Sequence, residues 1–573
     1  MSVLAPPGLL RRQIPSHGLV FIALLAIVGL FVLYPVLIIL VNSVTLGPNG
    51  QSQGFTLRSW QIAVSDPAML AAIRNTLKVV AANESISLPV AVAIAWLLAR
   101  TDLPARATLE FMFWVTFFLP SLSVTLGWVV LLDAQSGVVN QLAHHFLPSL
   151  PQPLFNIHSF WGVVWAHLST GAISVKVILL TPALRNLDAS FEEAARICGA
   201  ARWRTLTRIV VPVAAPAILT VMVLSIIRAM QTFEIEMALG PPFNFWVFGT
   251  MIYRLAARVP PDLGPATALA ALAFLALTPL IILHRYLITR KDYATVGGKL
   301  RVAPTPLGRW RFPIFGLVCL FVFLVTVLPV VFVILSSFMK LFGFFDIPDP
   351  WTLDNWRNVL RDDFFLRAFA HTFEIAGVAA VGSMLLSGLT AHFIVRSRYW
   401  GRGILDFVSW LPFAIPGILF SVGMLYVVLS NPVFRIFYGS LPLMMLTIVI
   451  ANMTLGIQIL KAAIIQIGGE LEQAARTTGA SWWYAFRKVI LPILMPTLIL
   501  VGMITFIGAT REIASVALLA TNETKTLSLL QLDYITDGRF EAAAVISALV
   551  VMLTVGIAFV ARFLGLRAGI RAS

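Results

Sequence analysis

The sequence predicts an all-α integral membrane protein of about twelve transmembrane helices, arranged as two parallel six-helix repeats. Three observations carry this. The chain of 573 residues is 59% hydrophobic and 12% charged, with a mean hydropathy of +0.90, more apolar surface than a water-soluble protein of this length can hide. Apolar stretches of 20 or more residues recur about twelve times. A polar segment, EEAARICGAARWRTLTRIVVP at 192–212, returns as EQAARTTGASWWYAFRKVILP at 472–492.

In the first half the apolar spans fall at 18–44, 71–99, 107–132, 158–182, 212–238 and 264–288. In the second they fall at 313–338, 370–395, 403–430, 437–465, 492–519 and 540–566. Each is expected to be helical, because a helix satisfies its own backbone polar groups in lipid. Arg11 and Arg12 precede the first run with no small-residue cleavage site behind it. That run is therefore expected to stay as a membrane helix rather than be removed as a signal peptide. The chain divides at 1–70 (N-terminal helix and outer loop), 71–287 (first transmembrane domain), 288–366 (linker, seventh helix and outer loop), 367–566 (second transmembrane domain) and 567–573 (tail).

The net charge of +15 fits basic cytoplasmic loops better than nucleic-acid binding. The loop 133–157 contains no Lys or Arg, whereas Arg285, Arg290, Lys291, Lys299, Arg301, Arg309 and Arg311 crowd the link between the halves. Arg100 and Arg106 flank one connection, Arg396, Arg398 and Arg402 its counterpart, and Arg562, Arg567 and Arg571 close the chain. The positive-inside rule then places both termini and both copies of the polar segment in the cytoplasm. Cys198 and Cys319 stand far apart and give no disulfide framework.

The duplication extends beyond the polar segment. Phe55-Thr56-Leu57-Arg58-Ser59-Trp60 corresponds to Trp351-Thr352-Leu353-Asp354-Asn355-Trp356, and Asn75-Thr76-Leu77 to His371-Thr372-Phe373, at an offset of 296. By residue 192 the offset is 280, so the first half carries 16 extra residues, which the longer loop 133–157 accounts for. An even number of spans per half makes the repeat parallel, and places a passage between the halves.

Within the polar segment eight pairs are identical: Glu192/Glu472, Ala194/Ala474, Ala195/Ala475, Arg196/Arg476, Gly199/Gly479, Ala200/Ala480, Trp203/Trp483 and Pro212/Pro492. Ser190-Phe191-Glu192-Glu193 can form a capping box that starts a helix. Gly199 suits the left-handed residue that ends it. A second short helix is expected to run to Pro212, where the fifth span begins. Small residues admit a neighbouring backbone and the tryptophan offers an apolar anchor, with Arg202, Arg204, Arg208, Arg487 and Lys488 around it. The same composition suits a helix lying on the inner leaflet. The fixed glycine in both copies favours a protein partner, because a lipid surface demands no such spacing.

This twice-occurring pattern, Glu-Ala-Ala followed by three residues and Gly and then a hydrophobic stretch ending in Pro, resembles the EAA loop of type I ABC importer permeases. The Asn75-Thr76-Leu77 start of the second span is also similar to that family. The resemblance covers about 71–287 and 367–566, and the fused arrangement is similar to the iron(III) transport permeases, whose relatives carry thiamine, polyamines, phosphonates or sulfate. It implies that two copies of a cytoplasmic ABC ATPase dock on the two loops and that a periplasmic substrate-binding protein delivers the solute. Alternating access across a bacterial inner membrane follows. The docking residues it implies are Glu192, Glu193, Ala194, Ala195, Arg196, Gly199, Trp203 and Pro212, with Glu472, Gln473, Ala474, Ala475, Arg476, Gly479, Trp483 and Pro492. Gln473 departs from the usual acid. ATP would be held by the partner subunits: no G-x-x-x-x-G-K-[ST] occurs, Gly297-Gly298-Lys299-Leu300 lacking both the first glycine and the hydroxyl. The chain is thus expected to be a transport subunit, to hold no cofactor or metal and to be no enzyme. An ion-gradient carrier, also built of parallel halves, would not need the docking segments.

A charge at the bilayer centre costs about 2.5–3.5 kcal/mol on insertion scales, so charged residues within spans are candidate functional groups. Arg228, Gln231, Thr232 and Glu234 near the end of the fifth span, with Glu236 beyond, and Arg511 and Glu512 near the end of the eleventh, are the expected passage residues. Arg228, Gln231 and Thr232 are expected on one helix face. Structural pairing of the charges is an equal alternative. Glu84, Lys176, Glu374 and Lys461 are further charged outliers, and Lys461 is placed to snorkel. His144 and His145 in the long outer loop are weak metal ligands on their own.

Overall fold

The computed structural model describes residues 16–47, 51–52, 54–149, 151–187, 194–195, 197–289, 305–345 and 347–567. The described residues form helices joined by turns and loops, with three isolated β-bridges and no sheet among them. Among the described residues, ten helices are long and apolar enough to cross a membrane. In the first half these are α1 (Ser16–Ser43), α2 (Pro67–Arg100), α5 (Phe160–Arg185), α6 (Leu206–Ala229) and α7 (Leu263–Thr289). In the second they are α8 (Gly308–Ser336), α9 (Asp363–Arg396), α12 (Leu441–Ile467), α13 (Trp482–Thr510) and α14 (Phe540–Arg567).

The third span of each half departs from the expected continuous helix. It is a broken pair: α3 (Arg106–Phe118) with α4 (Ser121–Leu132), bent by 95°, and α10 (Arg402–Ala414) with α11 (Gly417–Ser430), bent by 112°. The cause is local. Leu119 and Pro120, and Ile415 and Pro416, are extended, because a proline ring pushes its predecessor out of the helical region and supplies no N–H.

The first helix of each half packs on the other half. Helix α1 lies against α10 and α11, and the end of α8 lies against α4. Two glycines 296 residues apart permit this. A Cβ on Gly423 would stand 2.8 Å from the Pro35 Cβ, and one on Gly127 would collide with the Pro329 carbonyl. The two halves are thus interlocked rather than merely adjacent.

The repeated motifs fasten equivalent joints. Trp60 Nε1 donates to Ser43 Oγ at 3.2 Å, and Trp356 Nε1 to Ser337 Oγ at 3.1 Å. Thr76 Oγ1 accepts from the Phe248 N–H at 2.9 Å, and Thr372 Oγ1 from the Leu527 N–H at 2.8 Å. The threonine of each Asn-Thr-Leu-like motif therefore starts a short helix, Phe248–Ala256 or Leu527–Thr536.

Candidate functional site

Each polar segment leads directly into a membrane helix, α6 or α13. Glu192, Glu193 and Arg196, together with the expected capping box, lie outside the described residues, as does the Trp203 side chain. The rest shows the same turn twice. Ala200 N–H donates to Ala195 O at 2.9 Å, and Ala480 N–H to Ala475 O at 3.1 Å. Gly199 at φ 74° and Gly479 at φ 92° supply the left-handed residue, the geometry of a helix terminated by a Schellman-type bond.

In the second copy the helix Glu470–Thr477 leaves Gln473, Ala474 and Arg476 exposed, with Ala475 half-buried. Glu472 turns inward, 3.8 Å from His392 Nε2 on α9. Burial raises the Glu472 carboxyl, against the opposing pull of Arg396 and Arg476. Trp483 is half-exposed on Phe486, whereas Trp482 stacks between Phe486 at 5.5 Å and Phe393 at 5.3 Å. Phe393 in turn meets Phe21 of α1 at 5.7 Å. Trp482 thus ties the segment to the bundle, and Trp483 remains at the surface. Sequence reasoning singled out only the second, because Trp482 has no tryptophan counterpart in the first copy.

The segments do not stop at the prolines. Each runs without a break into its membrane helix through a π-turn, Leu206–Val210 or Phe486–Ile490. Pro212 and Pro492 lie just beyond, and the wider turn accommodates a ring that removes one N–H and crowds the carbonyl four residues back.

Near the opposite ends of α6 and α13 lies a polar cluster, in which Arg228 is exposed and Gln231, Thr232, Glu234, Arg511 and Glu512 are half-buried. The helices end at Ala229 and Thr510, short of the expected 238 and 519. Gln231 and Thr232 therefore follow the helix rather than sharing a face with Arg228, because the chain turns at Met230 and Gln231 and begins a new helix at Glu234. Arg511 and Glu512 likewise lie past the end of α13.

These residues reach across the interface between halves. Arg511 Nη1 donates to the Phe117 carbonyl at 2.7 Å and to the Leu119 carbonyl at 3.3 Å, both at the α3–α4 break. Gln231 Nε2 donates to the Phe413 carbonyl at 3.1 Å, in the last turn of α10. The Arg228 guanidinium sits over the Phe413 ring at 4.6 Å, and that of Arg511 over Phe117 at 5.4 Å. Glu234 accepts from Ser121 Oγ, directly after the same break. Glu512 Oε1 accepts from the Ser515 N–H at 2.9 Å. Arg228 and Arg511 repel one another, Glu512 attracts both, and Glu234 attracts Arg511.

A buried pair adjoins this cluster: His167 Nε2 and Glu236 Oε1 are 2.7 Å apart, and Glu236 is fully buried. Sequence reasoning noted Glu236 and missed His167, whose only signal was a histidine inside an apolar span. Of the other charged outliers, Glu374 is exposed, whereas Glu84, Lys176 and Lys461 are paired. Lys176 Nζ bonds Glu84 Oε1 at 3.0 Å and Ser87 Oγ at 2.8 Å. Lys461 pairs with Asp406 rather than snorkelling free, and Arg185 pairs with Glu110 in the first half. His144 and His145 are exposed near the end of the helix Val138–Phe146, and no group of three or more His, Cys, Asp or Glu is placed to hold a metal among the described residues.

Two interlocked six-span halves, each with a broken third span, a glycine-ended turn at one end and cross-half polar contacts at the other, define a duplicated helical membrane permease. The chain belongs to the family described as the binding-protein-dependent transport system inner membrane component, whose model matches residues 88–293 and 383–567. It is a multi-pass ABC importer permease with two fused transmembrane domains, a transport component rather than an enzyme. It is 30% identical over 72% of its length to a probable ABC transporter permease protein of Sinorhizobium fredii, of which it spans 72%. It is 24% identical over 70% of its length to the ferric transport system permease protein FbpB of Actinobacillus pleuropneumoniae, of which it spans 58%. A solved bacterial alginate ABC transporter, in complex with an alginate pentasaccharide-bound periplasmic protein, matches 48% of this chain and 94% of its own at 19% identity, with a TM-score of 0.39.

Proposed function

We propose that this permease carries ferric iron from a periplasmic binding protein to the cytoplasm, by alternating access driven by two ABC ATPase subunits docked at the turns containing Gly199 and Gly479. In this reading both termini face the cytoplasm and the solute passes between the halves at the Arg228, Gln231, Thr232, Glu234, Arg511 and Glu512 cluster. The carrying observation is the reciprocal cross-half contact: Arg511 to the Phe117 carbonyl and Gln231 to the Phe413 carbonyl. Residues equivalent by the repeat hold each half against the broken span of the other, so separating the halves opens the joint where the polar groups lie. Duplicated turns, exposed at one end and continuous with α6 and α13, give a rigid lever from an outside motor to that joint. The iron assignment rests on the ferric relative that aligns with both halves; thiamine, polyamine, phosphonate and sulfate are the alternative solutes.

The test is reconstitution in proteoliposomes with the partner ATPase and binding protein, following radiolabelled iron(III) delivered by the loaded binding protein. Uptake that requires ATP and the binding protein is expected. Uptake without an ATPase overturns the motor reading. ATP-driven uptake of sulfate or an organic cation but not iron overturns the substrate.

A further inference from the structure

We propose that Arg511 is a tethered cation, occupying an oxygen-lined site that a hard metal cation takes over when the halves separate. The site is made by the main-chain carbonyls of Phe117 and Leu119, with the carboxylate of Glu234 alongside. This rests on the importer reading and gives its passage a ligand chemistry.

The carbonyls are available because of the break. Extended backbone at Leu119 and Pro120 carries α4 away at 95°, so the donors four residues ahead no longer face them. A buried carbonyl without a partner is costly, and unwound carbonyls in a membrane helix are tolerated only where something satisfies them. In the closed arrangement that partner is the Arg511 guanidinium. Arg511 is anchored on α13 in the second half and the carbonyls belong to the first. Separation of the halves therefore removes the guanidinium and leaves the oxygens behind, Glu234 among them through its bond to Ser121.

The oxygens left behind point to a cation as the successor. Glu512 adjoins Arg511 and moves with it, so the Phe117 and Leu119 carbonyls and the Glu234 carboxylate of the first half lose the guanidinium together. Carbonyl and carboxylate oxygens are the ligands of hard cations. Among the described residues no group of three or more His, Cys, Asp or Glu is placed to hold a metal ion, and a passage site must bind weakly enough to release its cargo.

The site is built once, not twice. Where the first half has Ser121 and Glu234, the second has Gly417 and Ala514, and a Cβ on Gly417 would stand 2.9 Å from the Ala514 Cβ. Where the second half sends an arginine to the carbonyls, the first sends the neutral Gln231. The repeat supplies the scaffold on both sides, and only one side carries the exchangeable charge.

The test uses the purified full chain in detergent and Tb³⁺ as a hard trivalent probe, read by luminescence sensitised by the protein's aromatic residues. Arg511→Met is expected to bind Tb³⁺ at least roughly tenfold more tightly than the unaltered chain. The double variant Arg511→Met, Glu234→Gln is expected to lose that gain, and Arg511→Lys, which keeps the charge, not to show it. Where Arg511→Met is not monodisperse, Arg511→Gln carries the same comparison. No gain, or a gain that survives loss of the Glu234 carboxylate, overturns the proposal. So does radiolabelled sulfate binding to the unaltered chain that Arg511→Met abolishes, which would make the arginine an anion ligand. Co-purification with the ATPase depends on the other end of the molecule. If it fails, the importer reading fails; if it succeeds while the Tb³⁺ gain is absent, only this proposal falls.

Discussion

Arg511 and Phe117 join the two halves across the break of a membrane helix, guanidinium to carbonyl at 2.7 Å. Gln231 and Phe413 repeat the contact in the opposite sense. Positions 117 and 413 are 296 apart and 231 and 511 are 280 apart, the two offsets that the duplication itself shows. The contact is therefore a property of the repeated architecture, whereas the charge on one side of it is particular to this chain. Losing the Gln231 donor should weaken the interface by about 1 kcal/mol, the net worth of a neutral hydrogen bond. Gln231→Ala is accordingly expected to lower the melting temperature slightly and to raise ATPase activity in the absence of the binding protein. Unchanged basal hydrolysis in the assembled complex would show that this joint does not restrain the motor.

The interlock of α1 and α8 depends on two bare glycines. Gly127→Val must displace the Pro329 backbone and Gly423→Val that of Pro35, and overpacking of this kind costs about 1–3 kcal/mol. Gly377→Val, with nothing within 4 Å of its added carbon, is the control. Thermal unfolding in detergent should place both interlock variants below the control. Equal stabilities would mean the swapped helices can shift freely.

At the two docking turns the constraint is backbone strain, not space. A Cβ added at Gly199 or Gly479 would meet nothing within 4 Å, yet both residues have positive φ. A β-branched residue there is disfavoured by about 1–2 kcal/mol, while asparagine visits that region more readily. The double variant Gly199→Val, Gly479→Val should insert normally but lose ATPase co-purification and uptake. The corresponding double asparagine variant should keep much of both. Full uptake in the valine variant would count against the turns as the docking elements.

Asp133, just after α4, offers a pH readout outside the membrane core. Burial pushes its carboxyl up, but the N–H groups of Ser136 and Gln135, the Ser136 hydroxyl and nearby His158 outweigh that and leave it lowered. A lowered folded value means the carboxylate stabilises the fold fully above its ordinary value of 3.8, and the benefit disappears as pH falls through the folded value. Asp133→Asn should therefore be less stable by about 1 kcal/mol at neutral pH, with the melting curves of the two proteins converging in acid. A constant gap at every pH would remove the ionised carboxylate from the explanation.

Much of this was legible in the sequence, for reasons specific to particular residues. Gly199 and Gly479 betray a left-handed turn because other side chains strain there, and Trp60 and Trp356 mark one joint built twice. The breaks at Pro120 and Pro416 were not legible. Pro35, Pro89, Pro182, Pro216, Pro279 and Pro496 lie inside helices that continue, so a proline in an apolar run does not distinguish a tolerated kink from a sharp bend. The difference lies in tertiary partners such as Arg511 for the freed carbonyls, hundreds of residues away. The exchange of α1 and α8 between halves was hidden for a similar reason. An apolar helix carries no label for which apolar surface it will meet.

Lys176, for which sequence reasoning offered no role, gives a test of buried charge. Its side chain is 1% exposed and that of Glu84 11%, and Ser87, Ser225 and the Ala172 carbonyl complete the hydrogen bonding. At the equivalent place in the second half Ser383 and Thr505 meet directly at 3.1 Å, so the repeat does not need an ion pair to pack. Removing one partner strands the other charge, which costs about 3–5 kcal/mol, whereas replacing both with apolar groups of similar volume is often neutral or stabilising. Lys176→Met alone is expected to be strongly destabilised, Glu84→Leu likewise, and the double variant to recover most or all of the loss. If the double variant unfolds as readily as the sum of the singles, the pair is not an independent buried tie. If it is stable but ATP-driven uptake falls, the lysine and glutamate belong to the working cycle rather than to the packing alone.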